Sequence, residues 1–163
     1  MLQASCPSCG SIVTFANKGS LAAVCGSCRT VSIREGQDLS VYGEIGEIQE
    51  DSSVIQVGTH GTYQSRRFEV LGRLQITYKE GFWNEWHVGF SNGTFGWLVE
   101  AQGHFSIMWS VAVPPPKRAR SSYSLALSVN ISDRQLYVSG VGQAEVIGGE
   151  GTLPFPVASG WKL

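Results

Sequence analysis

Two cysteine pairs constrain this chain more than any other feature. Cys6-Pro7-Ser8-Cys9 and Cys25-Gly26-Ser27-Cys28 are separated by fifteen residues and hold all four cysteines of the 163-residue chain. A Cys-x-x-Cys spacing lets one tight turn aim two thiolates at a cation, and two such turns complete a tetrahedron. Gly10 and Gly26 suit the backbone of these turns. Between the pairs, "SIVTF" and "LAAV" read as a short hairpin turning at Asn17–Ser20. The expectation is a zinc ribbon over residues 1–34, with Cys6, Cys9, Cys25 and Cys28 holding a structural Zn2+. Iron is the alternative occupant of the same ligands. Four cysteine ligands leave no coordination position open, so the metal should fold the segment and take no part in catalysis.

Closely paired cysteines fit a reducing cytoplasm better than a disulfide framework. The N-terminus has neither the basic region nor the apolar run of a signal peptide. No segment reaches the roughly 20 apolar residues that span a bilayer. The expected location is therefore cytoplasmic. The formal charge is −1, and four thiolates around a divalent ion lower it by a further two. Nonspecific nucleic-acid binding draws on a basic surplus that releases counterions, so nucleic acid is not the expected partner. A nucleic-acid reading would have to use the ribbon and the basic loop Lys117, Arg118 and Arg120, which follows three prolines. The plainer account of that loop is a solvated surface.

Beyond a polar break at residues 34–38, the chain reads as short strands separated by glycine turns, giving a second domain at 39–163. The fold class is mainly β: an N-terminal zinc ribbon followed by a partly open antiparallel β-barrel or sandwich. Val70-x-Gly72-x-x-Gln75 recurs as Val138-x-Gly140-x-x-Gln143, a faint echo that would mean two related meanders.

The stretch from Gly81 to Gly103 carries three of the five tryptophans. Asn92-Gly93 is a strong two-residue hairpin signal, because both positions of a type I′ turn need positive φ. With that turn, Val88 faces Trp97, Trp86 faces Val99 and Glu85 faces Glu100. Lys79-Glu80-Gly81 as a three-residue loop pairs Leu74 with Trp86. One face is then aromatic and β-branched. The other carries Arg73, Gln75, Trp83, Glu85, His87, Glu100 and Gln102. Two opposed glutamates repel unless offset, and Arg73 is the counter-ion at hand. The plain reading is a solvated ion-pair face. A sharper one is a recognition site for a cation, an amine or a basic peptide, with Trp83 adding a cation–π contact. A third is a hydrolase- or transferase-type enzyme using Glu85 and Glu100, although no nucleophile accompanies them.

The segment "VGTHGTYQSRRFEVLGRLQITYKEGFWNEWHVGFSNGTFGWLVEAQG" resembles the core of a bacterial family of domains of unknown function, whose members also show a CxxC…CxxC ribbon. The resemblance implies a mostly β domain with no assigned activity. It also implies gene neighbours that include small membrane-associated stress proteins, and longer members that continue past the position of Leu163. Together these readings lead to a non-enzymatic adaptor that binds a protein partner, with peripheral association to a membrane protein of a stress system.

Overall fold

The computed structural model describes residues 1–17, 20–36, 38–110, 119–131 and 134–163. Among them are thirteen strands, one short 3-10 turn and no α-helix. Among the described residues no helix is long and apolar enough to cross a membrane.

Strands β1 (Leu2–Ser5) and β2 (Ile12–Phe15) pair across the first cysteine pair. Strands β3 (Ala22–Val24) and β4 (Thr30–Glu35) pair across the second. Each Cys-x-x-Cys is thus itself the turn of a hairpin. The expected hairpin between the pairs does not form, because β3 pairs with β4 on one side and β13 (Ala144–Leu153) on the other. Lys18 and Gly19 of its expected turn lie outside the described residues.

The polar stretch at 34–38, of which Gln37 lies outside the described residues, falls between two paired strands. Glu35 faces Asp38, and β4 runs directly into β5 (Asp38–Glu44). Next in the chain come β6 (His60–Tyr63), β7 (Arg66–Tyr78), β8 (Gly81–Phe90), β9 (Phe95–Ala101) and β10 (His104–Met108). With β3, β4, β5 and β13 they build one antiparallel sheet in the order β10-β9-β8-β7-β13-β3-β4-β5, with β6 beside the start of β7. The sheet does not close into a barrel. Because β3 and β4 belong to it, half of the expected ribbon is part of the main sheet. The compact units divide elsewhere than at 34–39. Met1–Trp109 with Ala144–Leu163 forms one, and Ser110–Gln143 forms the other.

The second unit contains the hairpin β11 (Ser128–Ile131) and β12 (Arg134–Tyr137). No strand follows over Val138–Gln143, so the second copy of the Val-x-Gly-x-x-Gln pattern does not repeat β7. Lys117 and Arg118 of the basic loop lie outside the described residues, and Arg120 opens the 3-10 turn Arg120–Ser122.

The main sheet is buried on both faces. On one, Val70, Trp86, Val88, Phe90 and Leu98 form a core with Ile55 and Ile107 against it. On the other, Leu74 and Ile76 join Ile45, Val146, Leu153 and Val157, with Trp83 and Trp97 packed alongside. These are called here the Trp86 face and the Trp97 face.

Both registers differ by one residue from the sequence expectation. Gly93 N–H donates to the Phe90 carbonyl at 2.9 Å, and Phe90 N–H donates to the Thr94 carbonyl at 2.8 Å. Ser91–Gly93 is therefore a three-residue loop with Gly93 at φ 82°, the type I turn with a left-handed third residue. Two-residue turns with both positions at positive φ occur instead at Gln64-Ser65 and Gln102-Gly103. The β7–β8 loop is shorter than expected, with Tyr78 opposite Gly81. As a result His87, not Val88, faces Trp97. Arg73, not Leu74, faces Trp86. Glu85 faces Val99, and Asn84 faces Glu100. A slip of one exchanges the faces of a strand. The expectation assumed one dry face and one wet face. With both faces buried, the aromatic side chains divide between two cores and Trp97 packs beside Leu74 and Ile76.

Candidate functional site

The cysteine centre follows from local geometry. Cys6 Sγ lies 3.7 Å from Cys28 Sγ, and Cys9 Sγ lies 3.7 Å from Cys25 Sγ. All four sulfurs fall within 4.8 Å of one another. Bonds of about 2.3 Å to a tetrahedral ion would set sulfurs about 3.8 Å apart, so the four residues fit a metal. A disulfide would need sulfurs about 2.0 Å apart. The two knuckles are built alike. Gly10 N–H donates to the Cys6 carbonyl at 2.9 Å, and Arg29 N–H donates to the Cys25 carbonyl at 3.0 Å. The residue after each second cysteine is left-handed, Gly10 at φ 78° and Arg29 at φ 62°. Gly10 thus acts as expected. In the second knuckle that position belongs to Arg29 and not to Gly26.

Hydrogen bonds from Ser11 pull the exposed Cys9 thiol down to about 6, and Thr30 lowers Cys28. Burial pushes Cys25 up to about 11. A divalent ion would hold all four as thiolates.

A second constellation lies on the Trp86 face and is assembled from four separate segments. Arg73, on β7, is 6% exposed and Asn84, on β8, is 4% exposed. Arg73 donates to Asn84 Oδ1 from Nε at 3.1 Å and from Nη2 at 2.7 Å. Its Nη2 also pairs with Asp51. Asn84 Nδ2 donates to Asp51 Oδ2 at 2.8 Å and to Glu100 Oε2 at 3.3 Å. Glu100 Oε2 further accepts from Trp86 Nε1 at 3.0 Å and from the Ser53 hydroxyl at 2.6 Å. The guanidinium lies 4.5 Å from the Trp86 ring centroid, a cation–π contact. Buried charge is tolerated only when paired and hydrogen-bonded, and this network meets both conditions. Beside it opens a cleft of ≈ 460 Å³ lined by Asp51, Ser53, Ile55, Val57, Arg73 and Glu150, among others. Arg73 Nη1 stands 3.8 Å from Glu150 there.

The seven residues assigned to one polar face are therefore divided. Arg73, Gln75 and Glu100 lie on the Trp86 face. Trp83, Glu85 and His87 lie on the Trp97 face, as the strand pairings require. Gln102 sits in the β9–β10 turn, its amide 3.4 Å from the Tyr78 hydroxyl. The opposed glutamate pair is dissolved. Glu85 faces Val99 and accepts from Trp83 Nε1 at 3.0 Å. Burial raises its carboxyl above the usual range, with the Trp83 bond opposing.

His87 is 2% exposed. Its Nδ1 lies 3.0 Å from the Thr152 carbonyl. A carbonyl only accepts, so Nδ1 carries the hydrogen and Nε2 is left as a buried lone pair without a partner. Burial holds the imidazole pKa below its ordinary value, with the bond to Thr152 opposing.

From His87 a line of touching rings runs outward. Phe95 and Trp97 flank the imidazole at 5.6 and 5.4 Å between centroids. Phe155 lies 5.9 Å from Trp97, and Trp161 lies 5.6 Å from Phe155. Phe95, Phe155 and Trp161 are 43%, 37% and 41% exposed.

Sequence reasoning missed Asp51, Ser53 and Asn84 as members of the network, and Phe155 and Trp161 as members of the ring line. Asn84 carried a usable signal, because a polar residue alternating with Trp86 and Val88 must find partners once that face is buried. The polar stretch around Asp51 carried none, since nothing local says what it crosses.

Residues 56–160 match the family described as Domain of unknown function (DUF4178). No curated protein and no solved structure matches the chain. The family match begins past the cysteine pairs and takes in β6 to β13, and the chain belongs to that family.

Proposed function

We propose that this member of the family is a non-enzymatic adaptor, stabilised by zinc at its N-terminal cysteines and binding a protein partner through the exposed rings of the Trp97 face. The line Phe95, Trp97, Phe155 and Trp161 carries the reading. Single exposed apolar side chains are ordinary, but contiguous exposed aromatic surface marks interaction sites. Aromatic side chains also dominate the energetics of binding interfaces. The buried His87 below gives the strip a rigid base.

Zinc suits the four thiolates, and their closed set assigns the metal to folding rather than to reaction. Two close cysteine pairs that gather around one point accord with metal binding in a reducing, cytoplasmic setting. On this reading the adaptor works there, beside a membrane-associated partner.

The test is capture from the native host by the wild-type chain and by Phe95→Ser and Trp161→Ser. Both positions are exposed, so the variants should fold as the wild type does while losing the captured protein. Retention of the same partner by both variants sinks the reading.

A further inference from the structure

Residues 47–57 cross the Trp86 face without belonging to the sheet. The crossing is anchored at its two ends. Gly149 N–H donates to the Gly46 carbonyl at 3.3 Å, and Gly58 N–H donates to the Val70 carbonyl at 2.8 Å. Between those anchors, among the described residues, no backbone–backbone hydrogen bond ties the segment to a strand. Side chains hold it instead.

The carboxamide of Gln75, which is fully buried, reads the backbone of Gln49 in both directions. Its Oε1 accepts from Gln49 N–H at 2.8 Å, and its Nε2 donates to the Gln49 carbonyl at 3.1 Å. Arg73 and Asn84 take the Asp51 carboxylate, and Glu100 takes the Ser53 hydroxyl. Ile55 packs on the Trp86 core. The residues alternate as in a strand: Asp51, Ser53 and Ile55 point inward, while Val54 is 86% exposed. The segment's own amides turn to its own side chains, Ser53 N–H to Asp51 and Ile55 N–H to Ser53, each at 3.1 Å.

A sheet face that meets a chain through one carboxamide on the backbone, one guanidinium on a carboxylate and one apolar seat resembles a peptide-binding surface. We propose that the Trp86 face of β7–β9 is a receptor for an extended acidic segment of a partner protein, and that residues 47–57 occupy it as a displaceable stand-in. The partner supplies a carboxylate at the Asp51 position, a hydroxyl two residues on and an apolar side chain two further. The carboxylate follows from charge. Arg73 is nearly buried, and with Asp51 displaced only Glu150, 3.8 Å from Nη1, would stay beside it, so a carboxylate from the incoming chain restores the close pair at Nη2. Displacement is feasible because the segment is held by few bonds, and solvent already reaches it along the cleft beside Glu150. This site lies on the opposite face from the aromatic strip and stands or falls apart from it.

The experiment uses the full chain carrying Asp51→Ala and a fluorescein-labelled peptide with the sequence of residues 46–58. Binding is followed by anisotropy. The expected result is that the variant binds the peptide, and binds it at least about tenfold more tightly than the wild-type chain does, because the native segment competes less well once Asp51 is gone. A peptide with alanine at the Asp51 position should lose at least about tenfold.

A folded variant that binds neither peptide, or both alike, overturns the proposal. So does dimerisation of the variant on size-exclusion, which would make a second copy the occupant. If Asp51→Ala does not fold, Ser53→Ala replaces it and the wild-type chain is followed by hydrogen exchange. Amides of 47–57 should then exchange by local opening, well ahead of those in β8, and exchange only on global unfolding refutes the idea. Phe95→Ser should leave peptide affinity unchanged, which separates this outcome from that of the adaptor test.

Discussion

The cysteine centre and the Arg73 network both gather four polar side chains around one point, and they do it by opposite means. Each cysteine pair is brought together by a turn of four residues, so spacing alone nearly fixes the geometry. The network draws Asp51, Arg73, Asn84 and Glu100 from a crossing segment and three strands. Its geometry depends on two hairpin registers and on a segment with no periodicity of its own. Local constraint makes a site robust to error in the surrounding fold, whereas a site built across strands changes its membership when one register slips by one residue.

With zinc bound as proposed, stripping it should break the local site most severely. Binding of a structural zinc is worth about 10–16 kcal/mol in small ribbons, more than any single side chain here. Because β3 lies between β13 and β4, loss should spread into the main sheet. Thermal unfolding with and without chelator, beside metal quantification, should show the largest fall in Tm of any change considered. An unchanged Tm in verified metal-free protein would separate the ribbon from the sheet energetically.

Next in size is Arg73→Met. Removing one partner of a buried ion pair costs about 3–5 kcal/mol, here through Asp51 and Asn84 left unmet. Urea unfolding measures it, and a cost below about 1 kcal/mol would class the network with surface pairs. Gly93→Ala sharpens the register itself. A left-handed non-glycine residue costs about 1–2 kcal/mol, and no comparable loss should follow Gly26→Ala, which lies outside the left-handed region and has open space around it.

The two titrating groups of the Trp97 face give smaller effects of opposite sign. Burial holds His87 below its ordinary 6.5. Its contribution is therefore complete above 6.5 and is lost as pH falls through the lower folded value. Its imidazole should titrate below 6.5 by NMR. Burial holds Glu85 above its ordinary 4.5. Stability is then greatest below 4.5 and declines as pH rises through the folded value. Glu85→Gln should stabilise the chain at neutral pH by a fraction of a kcal/mol, since the group is partly screened by solvent. A destabilised Glu85→Gln would show that the Trp83–Glu85 bond outweighs the burial.

Much is legible in the sequence alone. The cysteine cluster, the all-β class and the shared face of Trp86, Val88 and Phe90 follow from spacing and from the two-residue alternation of a strand. The alternation survives any register, which is why that trio stayed together while its neighbours changed. The cross-strand partners were not legible. Asn92-Gly93 permits both a two-residue and a three-residue loop, and glycine serves either. Choosing between them decides whether Glu100 meets Glu85 or Asn84.

By itself the sequence determined which atoms can bind a metal and which side chains within one strand share a side, because both are set by bonds only a few residues apart. Tertiary structure alone decided that the main sheet is covered on both faces, that Trp97 and Trp86 lie on opposite sides, and that residues 47–57 lie over Arg73. Those outcomes rest on competition between whole-sheet packings, where one residue of loop length outweighs any local preference.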